Sequence, residues 1–341
     1  MVTQHFLHAI PIEILPESRL TFSRARLYEG VSIQKAVGSL ARKVAHNGKY
    51  LSIQPGFLAT HLIVIDERAY IAALDTKLAL VGVQREKREQ EFIDFDGICR
   101  HVLTAITLLG KCAWSVGGTH TFGLVSSDFP HPSGGYSHRP TQAVTATLRY
   151  RASADWFSDV RANDLRATCN ALDCYYRDGS WWVDRLSVAL GYVWSGLTAQ
   201  HPELAFVAFC MALEAIASTS QNEITHILAE RCAALSHPPG QARMNMYGQV
   251  KDLYALRSKI VHGRSAPKKG SISWESLAIT AKKSWVPTSQ VFLMLSVTTE
   301  VLNSVIARPR LLNILHVKRS EEKANVALNE YFLGLLLGGE T

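Results

Sequence analysis

Leu253-Tyr-Ala-Leu-Arg-Ser-Lys-Ile-Val-His-Gly263 is the stretch that decides how this chain is read. On a helical wheel turning about 100° per residue, Val250, Leu253, Tyr254, Ile260 and Val261 gather into one apolar stripe. Arg257 falls inside that stripe, and Ser258 and His262 lie one turn apart on its flank. An arginine does not deprotonate, and burying one unpaired costs several kcal/mol. Arg257 therefore needs an anion or a polar interface. Upstream, Phe206–Ile216 is apolar nearly all round except for Glu214. A Glu214–Arg257 ion pair is the simplest partner, and breaking a buried pair of this kind typically costs about 3–5 kcal/mol.

Outward from that segment the chain reads as a succession of helices. Asp184–Ala199 is the first, and Pro202, at a first helical position, opens the second through Ser218. Ser220 or Asn222 caps a third that stops at His237, before Pro238-Pro239-Gly240. Gln241–His262 is the fourth, closed by Gly263. Pro287 starts a fifth that runs to Pro309, and Ser320–Leu337 is a last docking helix. Residues 179–341 are thus expected to form a helical bundle with a C-terminal docking helix. Residues 1–178 read as a separate α+β domain without a recognisable motif. There Val31–His46 has helical spacing, His61–Leu74 and Lys77–Val83 read as strands around an Asp-Thr turn, and Phe92–Trp114 is helical again. A Gly-, Pro- and His-rich loop, Gly117–Pro140, precedes a strand over Thr141–Arg151.

Composition narrows the classes of function. Lys and Arg number 36 against 29 Asp and Glu, a formal net charge of +7, with 47% apolar and 19% charged residues. A disordered tail, a collagen-like chain and a low-complexity scaffold are excluded. The cysteines (99, 112, 169, 174, 210 and 232) form no C-x-x-C pair, so no zinc ribbon or redox dithiol is indicated. Met1–Arg19 lacks the pattern of a secretory leader, and no run of about 18 apolar residues is present. A cytoplasmic protein without a membrane segment is expected.

The positive charge is concentrated beside the Arg257 helix. Arg257, Lys259, Arg264, Lys268, Lys269, Lys282 and Lys283 face Glu275 alone within residues 257–283. A phosphate-contacting patch fits this density, and a solvated loop fits it equally. RNA cleavage without metal needs a base for the 2′-hydroxyl, an acid for the leaving 5′-oxygen, and positive charge at the phosphorane. Histidine titrates near neutrality, and arginine offers a fixed fork for phosphate oxygens. Arg257 and His262 on one helix, beside a basic loop, supply that set, and two copies across a two-fold axis supply both acid and base. Arg231…His237 and Arg310…His316 have similar spacing without the surrounding Tyr-x-x-Arg-Ser…His-Gly frame. His120, His131 and His138 lack Cys or carboxylates at ligand spacing, so a surface loop is expected there rather than a metal site.

The segments "LYALRSKIVHG", "FVAFCMALEAIAS" and "ILAERCAALS" resemble the HEPN (higher eukaryotes and prokaryotes nucleotide-binding) domain family, in its Apea-like branch, over roughly residues 180–310. The resemblance implies an all-α HEPN-type bundle that forms a homodimer. It also implies a metal-independent endoribonuclease with a composite site at the dimer interface, working in a defence or toxin–antitoxin setting. Carried over, Arg257 stabilises the phosphorane and His262 is the general acid or base, with four residues between them. Ser258 stands where many active members have Asn, Asp or His. RNA is the implied partner, contacted by Lys259, Arg264, Lys268 and Lys269. An antitoxin or defence protein is a further implied partner, and no cofactor or metal is called for. The alternatives are a non-catalytic dimer that binds RNA or a nucleotide, and an interaction scaffold in which Arg257 only pairs with Glu214.

Overall fold

The segment His5–Leu15 is apolar almost without interruption, as befits a strand covered on both faces. In the computed structural model it is β1, the strand on which a mixed-length antiparallel sheet is built. The structure describes residues 5–15, 20–37, 60–80, 95–110, 113–116, 119–124, 137–139, 159–177, 184–199, 201–219, 224–261, 286–316 and 321–337. Contacts divide the chain into two units. One comprises Met1–Arg149 with Ser153–Cys174, the other Tyr150–Ala152 with Tyr175–Thr341. The first is α+β and the second is helical among the described residues.

In the first unit, β2 (Arg24–Tyr28), β3 (Val31–Lys35), β4 (His61–Asp66), β1, β6 (Thr119–Leu124) and β7 (Ser137–Arg139) lie in that order, and β5 (Ala113–Val116) also pairs with β1. β6 pairs with residues 5–9 of β1 and β5 with residues 12–15. Pro11 falls in the gap between those two partners, where its missing N–H disrupts neither ladder. Ile10, Ile12 and Ile14 of β1 join Ile63 and Ile65 of β4 and Ile33 of β3 as wholly buried side chains. Gly30 closes the β2–β3 turn at φ +75°, and a Cβ there would meet the Tyr70 backbone nitrogen at 2.3 Å. In α2 (Phe95–Gly110), His101 stacks on Tyr28 with ring centroids 5.3 Å apart and lies 2.7 Å from the carbonyl oxygen of Cys169 in α3 (Ala162–Arg177).

Several expectations for this unit are corrected. Val31–Lys35 is a strand, not the start of a helix, because Val31 and Ile33 fit either period over so short a run. The strand at His61 ends at Asp66, whose Oδ1 accepts from the Ala69 N–H and caps α1 (Glu67–Leu80). The Asp-Thr pair expected to turn lies inside that helix. The Gly117–Pro140 loop contains β6 and β7, with His120 opposite His138 in their register, while His131 lies outside the described residues. The strand expected over 141–151 lies outside them too.

The second unit begins with α4 (Arg185–Thr198), capped by Asp184 Oδ1, which accepts from Ser187 N at 2.7 Å. α5 (Pro202–Ala217), opened by Pro202, is the central helix and packs against α4, α6 (Ile224–Ser236), α7 (Gln241–Val261) and α8 (Thr288–Ile306). A Cβ at Gly196 would meet the Phe209 ring at 2.5 Å, so that glycine sets how closely α4 and α5 approach. Between the fifth expected helix and the last one, Pro309–His316 forms a helix of its own, α9, which ends at His316. α10 (Glu321–Leu336) buries Leu328, Tyr331 and Phe332 and packs on α6 and α9. Ser289–Ile306 is long and apolar enough to cross a membrane by length and composition alone, yet 56% of it is buried, as in the core helix of a bundle.

His61 gives the first unit a testable acid sensitivity. It is wholly buried, its Nδ1 lies 3.0 Å from Thr60 Oγ1, and its Nε2 has no partner among the described residues. Burial, and then the Lys35 charge opposite it, lower its pKa from 6.5 to about 4. The fold thus favours the neutral ring. Its contribution is whole above about pH 6.5 and is lost as pH falls toward 4, by about 3 kcal/mol at most. Urea midpoints of the full chain between pH 7 and 4 should fall more steeply for the parent than for His61→Leu. Parallel pH profiles would remove His61 from the acid response.

Candidate functional site

The buried positions of α7 are Met246, Val250, Leu253 and Tyr254, spaced as one helical face. The next position on that face is Arg257. Beyond it the face opens: Ile260 is half-buried and Val261 is 51% exposed. The apolar stripe therefore ends at Tyr254 instead of continuing through Val261, and Arg257 stands at its rim.

Glu214 of α5 meets Arg257, with Nη2 3.3 Å from Oε1. The same carboxylate oxygen accepts a 2.7 Å hydrogen bond from the Tyr254 hydroxyl. Tyr254 and Arg257 are three residues apart on α7, and the guanidinium carbon lies 5.4 Å from the centre of the Tyr254 ring. Tyr254 thus touches both charges, one through its ring and the other through its hydroxyl. Burial, and then the Glu214 carboxylate, push the phenol above its ordinary pKa, so it remains a donor. Arg257 Nε is buried and finds no acceptor among the described residues. The Arg257 and Glu214 side chains are 24% and 23% exposed, so water shares in solvating both.

Cys210, one turn before Glu214, is wholly buried. Its thiol points to Met294 Sδ at 3.8 Å, and burial, followed by the Glu214 charge, pushes its pKa far up. Ser258 and Lys259 lie on the exposed side of α7. His262, Arg264, Lys268 and Lys269 lie outside the described residues. Among the described residues, no three His, Cys, Asp or Glu side chains group closely enough to hold a metal ion.

The other Arg…His spacing in this region has a structural explanation. Arg231 Nη1 donates to Ala217 O at 2.7 Å and to Thr219 Oγ1 at 3.0 Å, and its Nη2 donates to Asn329 Oδ1 at 2.6 Å. Arg185 donates to the carbonyl oxygens of Ala215 and Ser218 and to Asn325 Oδ1. Two cations therefore close the C-terminal end of α5, where orphan carbonyls and the negative end of the helix dipole gather. Through Asn325 and Asn329 they also fasten α10. His237 turns instead to Glu300, with Nε2 3.1 Å from Oε1. These partners come from distant parts of the chain, so spacing alone does not reveal them. The role of the Tyr254 hydroxyl was likewise hidden, although its three-residue offset from Arg257 is the signal that finds it.

The chain matches no family model, and no characterised protein or solved structure is significantly similar to it.

Arg257→Ala leaves the Glu214 carboxylate with the Tyr254 hydroxyl and partial water. The expected loss is about 1–3 kcal/mol, less than for a fully buried pair. Adding Glu214→Gln should recover part of it. Urea denaturation followed by helical circular dichroism measures both, and a parent-like midpoint for Arg257→Ala would show that the pair contributes no stability.

Proposed function

We propose that the helical unit is a metal-independent endoribonuclease of HEPN type that works as a homodimer. The observation that supports this reading is the placement of Arg257. It stands at the rim of a helix–helix interface, held by Glu214 at 3.3 Å, at the start of the Arg-Ser-x-x-x-His-Gly segment. A fixed positive charge at such a rim suits a phosphate in its ground state and a phosphorane in the transition state.

In the proposed reaction, His262 of one copy takes the 2′-hydroxyl proton and the oxygen attacks the adjacent phosphorus. Arg257 balances the negative charge that builds on the non-bridging oxygens. His262 of the second copy gives a proton to the departing 5′-oxygen. The products are a 2′,3′-cyclic phosphate and a 5′-hydroxyl. Lys259, Arg264, Lys268 and Lys269 would draw the RNA backbone to the site. A defence or toxin–antitoxin setting, with an antitoxin or defence-system partner, fits an RNA-cutting activity. The α+β unit is available to choose a substrate or partner.

A second reading is favoured by a specific observation. Ser258 carries no charge, and Arg257 is already engaged by a carboxylate. A non-catalytic dimer that binds RNA or a nucleotide fits those two facts, and a scaffold that uses the pair only for stability fits the second.

Purified protein incubated with mixed RNA in EDTA should release fragments with 2′,3′-cyclic phosphate ends. His262→Ala should cut cleavage by about a hundredfold or more while leaving RNA affinity in place. Neutralising Lys268 and Lys269 together should lower the salt slope of binding by roughly two. Cleavage that depends on added metal, or a His262→Ala protein as fast as the parent, would give the lead to the non-catalytic reading.

A further inference from the structure

We infer that Tyr254 is a positioning residue, whose hydroxyl fixes Glu214 so that the carboxylate contacts Arg257 through one oxygen and does not take the guanidinium in a two-point grip. The inference rests on the ribonuclease reading for its catalytic consequence, but not for its geometry.

Three features of the cluster carry it. The Tyr254–Glu214 contact, at 2.7 Å, is much shorter than the Arg257–Glu214 contact, at 3.3 Å. Both end on the same oxygen, Oε1. The carboxylate is therefore turned toward the phenol, and the contact it makes with the arginine is from Nη2 to that same oxygen. That is not the fork-to-fork arrangement in which a carboxylate occupies two guanidinium N–H groups at once. Without the hydroxyl, Glu214 is free to turn and take Arg257 in the two-point geometry. The phosphate site would then be occupied by the protein's own carboxylate. The Tyr254 ring, 5.4 Å from the guanidinium carbon, is a separate contact that a phenylalanine preserves.

Tyr254→Phe isolates the hydroxyl, and two measurements on the full-length protein read the result. The first is the rate at which phenylglyoxal modifies Arg257, followed by peptide mass spectrometry. This reagent attacks accessible guanidinium groups and requires no RNA. Tyr254→Phe should slow modification several-fold, and Tyr254→Phe with Glu214→Gln should restore it, because an amide does not compete for the cation. The second is RNA cleavage. Tyr254→Phe should lower kcat by roughly tenfold, the scale for a group that orients another without touching substrate. KM should rise as well, because the ground-state phosphate meets the same occupied site, and the double variant should regain most of both losses. Parent-like modification of Arg257 in Tyr254→Phe overturns the inference, whatever the cleavage result. A slowed modification rate that Glu214→Gln restores, in a protein that cleaves no RNA, upholds the positioning role and removes the ribonuclease reading alone, while a faster rate in Tyr254→Phe overturns the inference. A kcat loss that Glu214→Gln does not reverse also overturns it, since a general structural defect would behave that way.

Discussion

A guanidinium keeps its proton at any pH a cell reaches, so every arginine drawn into the bundle must find negative charge or carbonyl oxygen. That requirement organises the helical unit. Arg257 meets it with the Glu214 carboxylate on the central helix α5. Arg185 and Arg231 meet it with the last carbonyls of the same helix and with the side-chain amides of α10. α5 is thus gripped twice, along its side by α7 and at its end by α4, α6 and α10.

The two solutions have different chemical consequences. At the end of α5 the donors of Arg231 are spread over three acceptors, and Phe332 stacks under its guanidinium at 4.8 Å. Such a group is committed to structure. Arg257 has one long contact to a carboxylate that a tyrosine hydroxyl already shares. A cation that meets one carboxylate oxygen at an interface rim, among the described residues, retains capacity for a second anion, which is why the phosphate chemistry is proposed for Arg257 and not for Arg231.

The α+β unit follows a different constraint. Its strand β1 is paired on both sides, and the wholly buried His61 lies on the neighbouring β4. Burial removes the water that would stabilise an imidazolium, and Lys35 opposite it adds repulsion, so the neutral ring is the folded form. This ties the stability of the unit to pH by a route independent of the helical unit.

Periodicity made the helical unit legible. Pro202, the Asp184 cap and the Pro-Pro-Gly stop after α6 mark boundaries that local chemistry imposes, because a missing N–H or a capping carboxylate acts within one turn. The Glu214–Arg257 pair was also readable, since each is the single charge on an otherwise apolar face. The α+β unit was far less so. β1 is buried on both faces and shows no alternation, while Glu67–Leu80 is apolar enough to pass for strand until Asp66 is recognised as a cap. Where the apolar stripe of α7 stops being buried, after Tyr254, is a matter of tertiary packing, and the helix's own period carries no record of it. The sequence alone determined which residues bear charge and which faces repeat. Only the tertiary structure decided which of those charges meet: Arg231 with the end of α5, His237 with Glu300, and Tyr254 with the carboxylate that holds Arg257. Those partners lie 12 to 98 residues apart along the chain for Arg231 and 40 for Tyr254, and packing rather than local spacing brings them together.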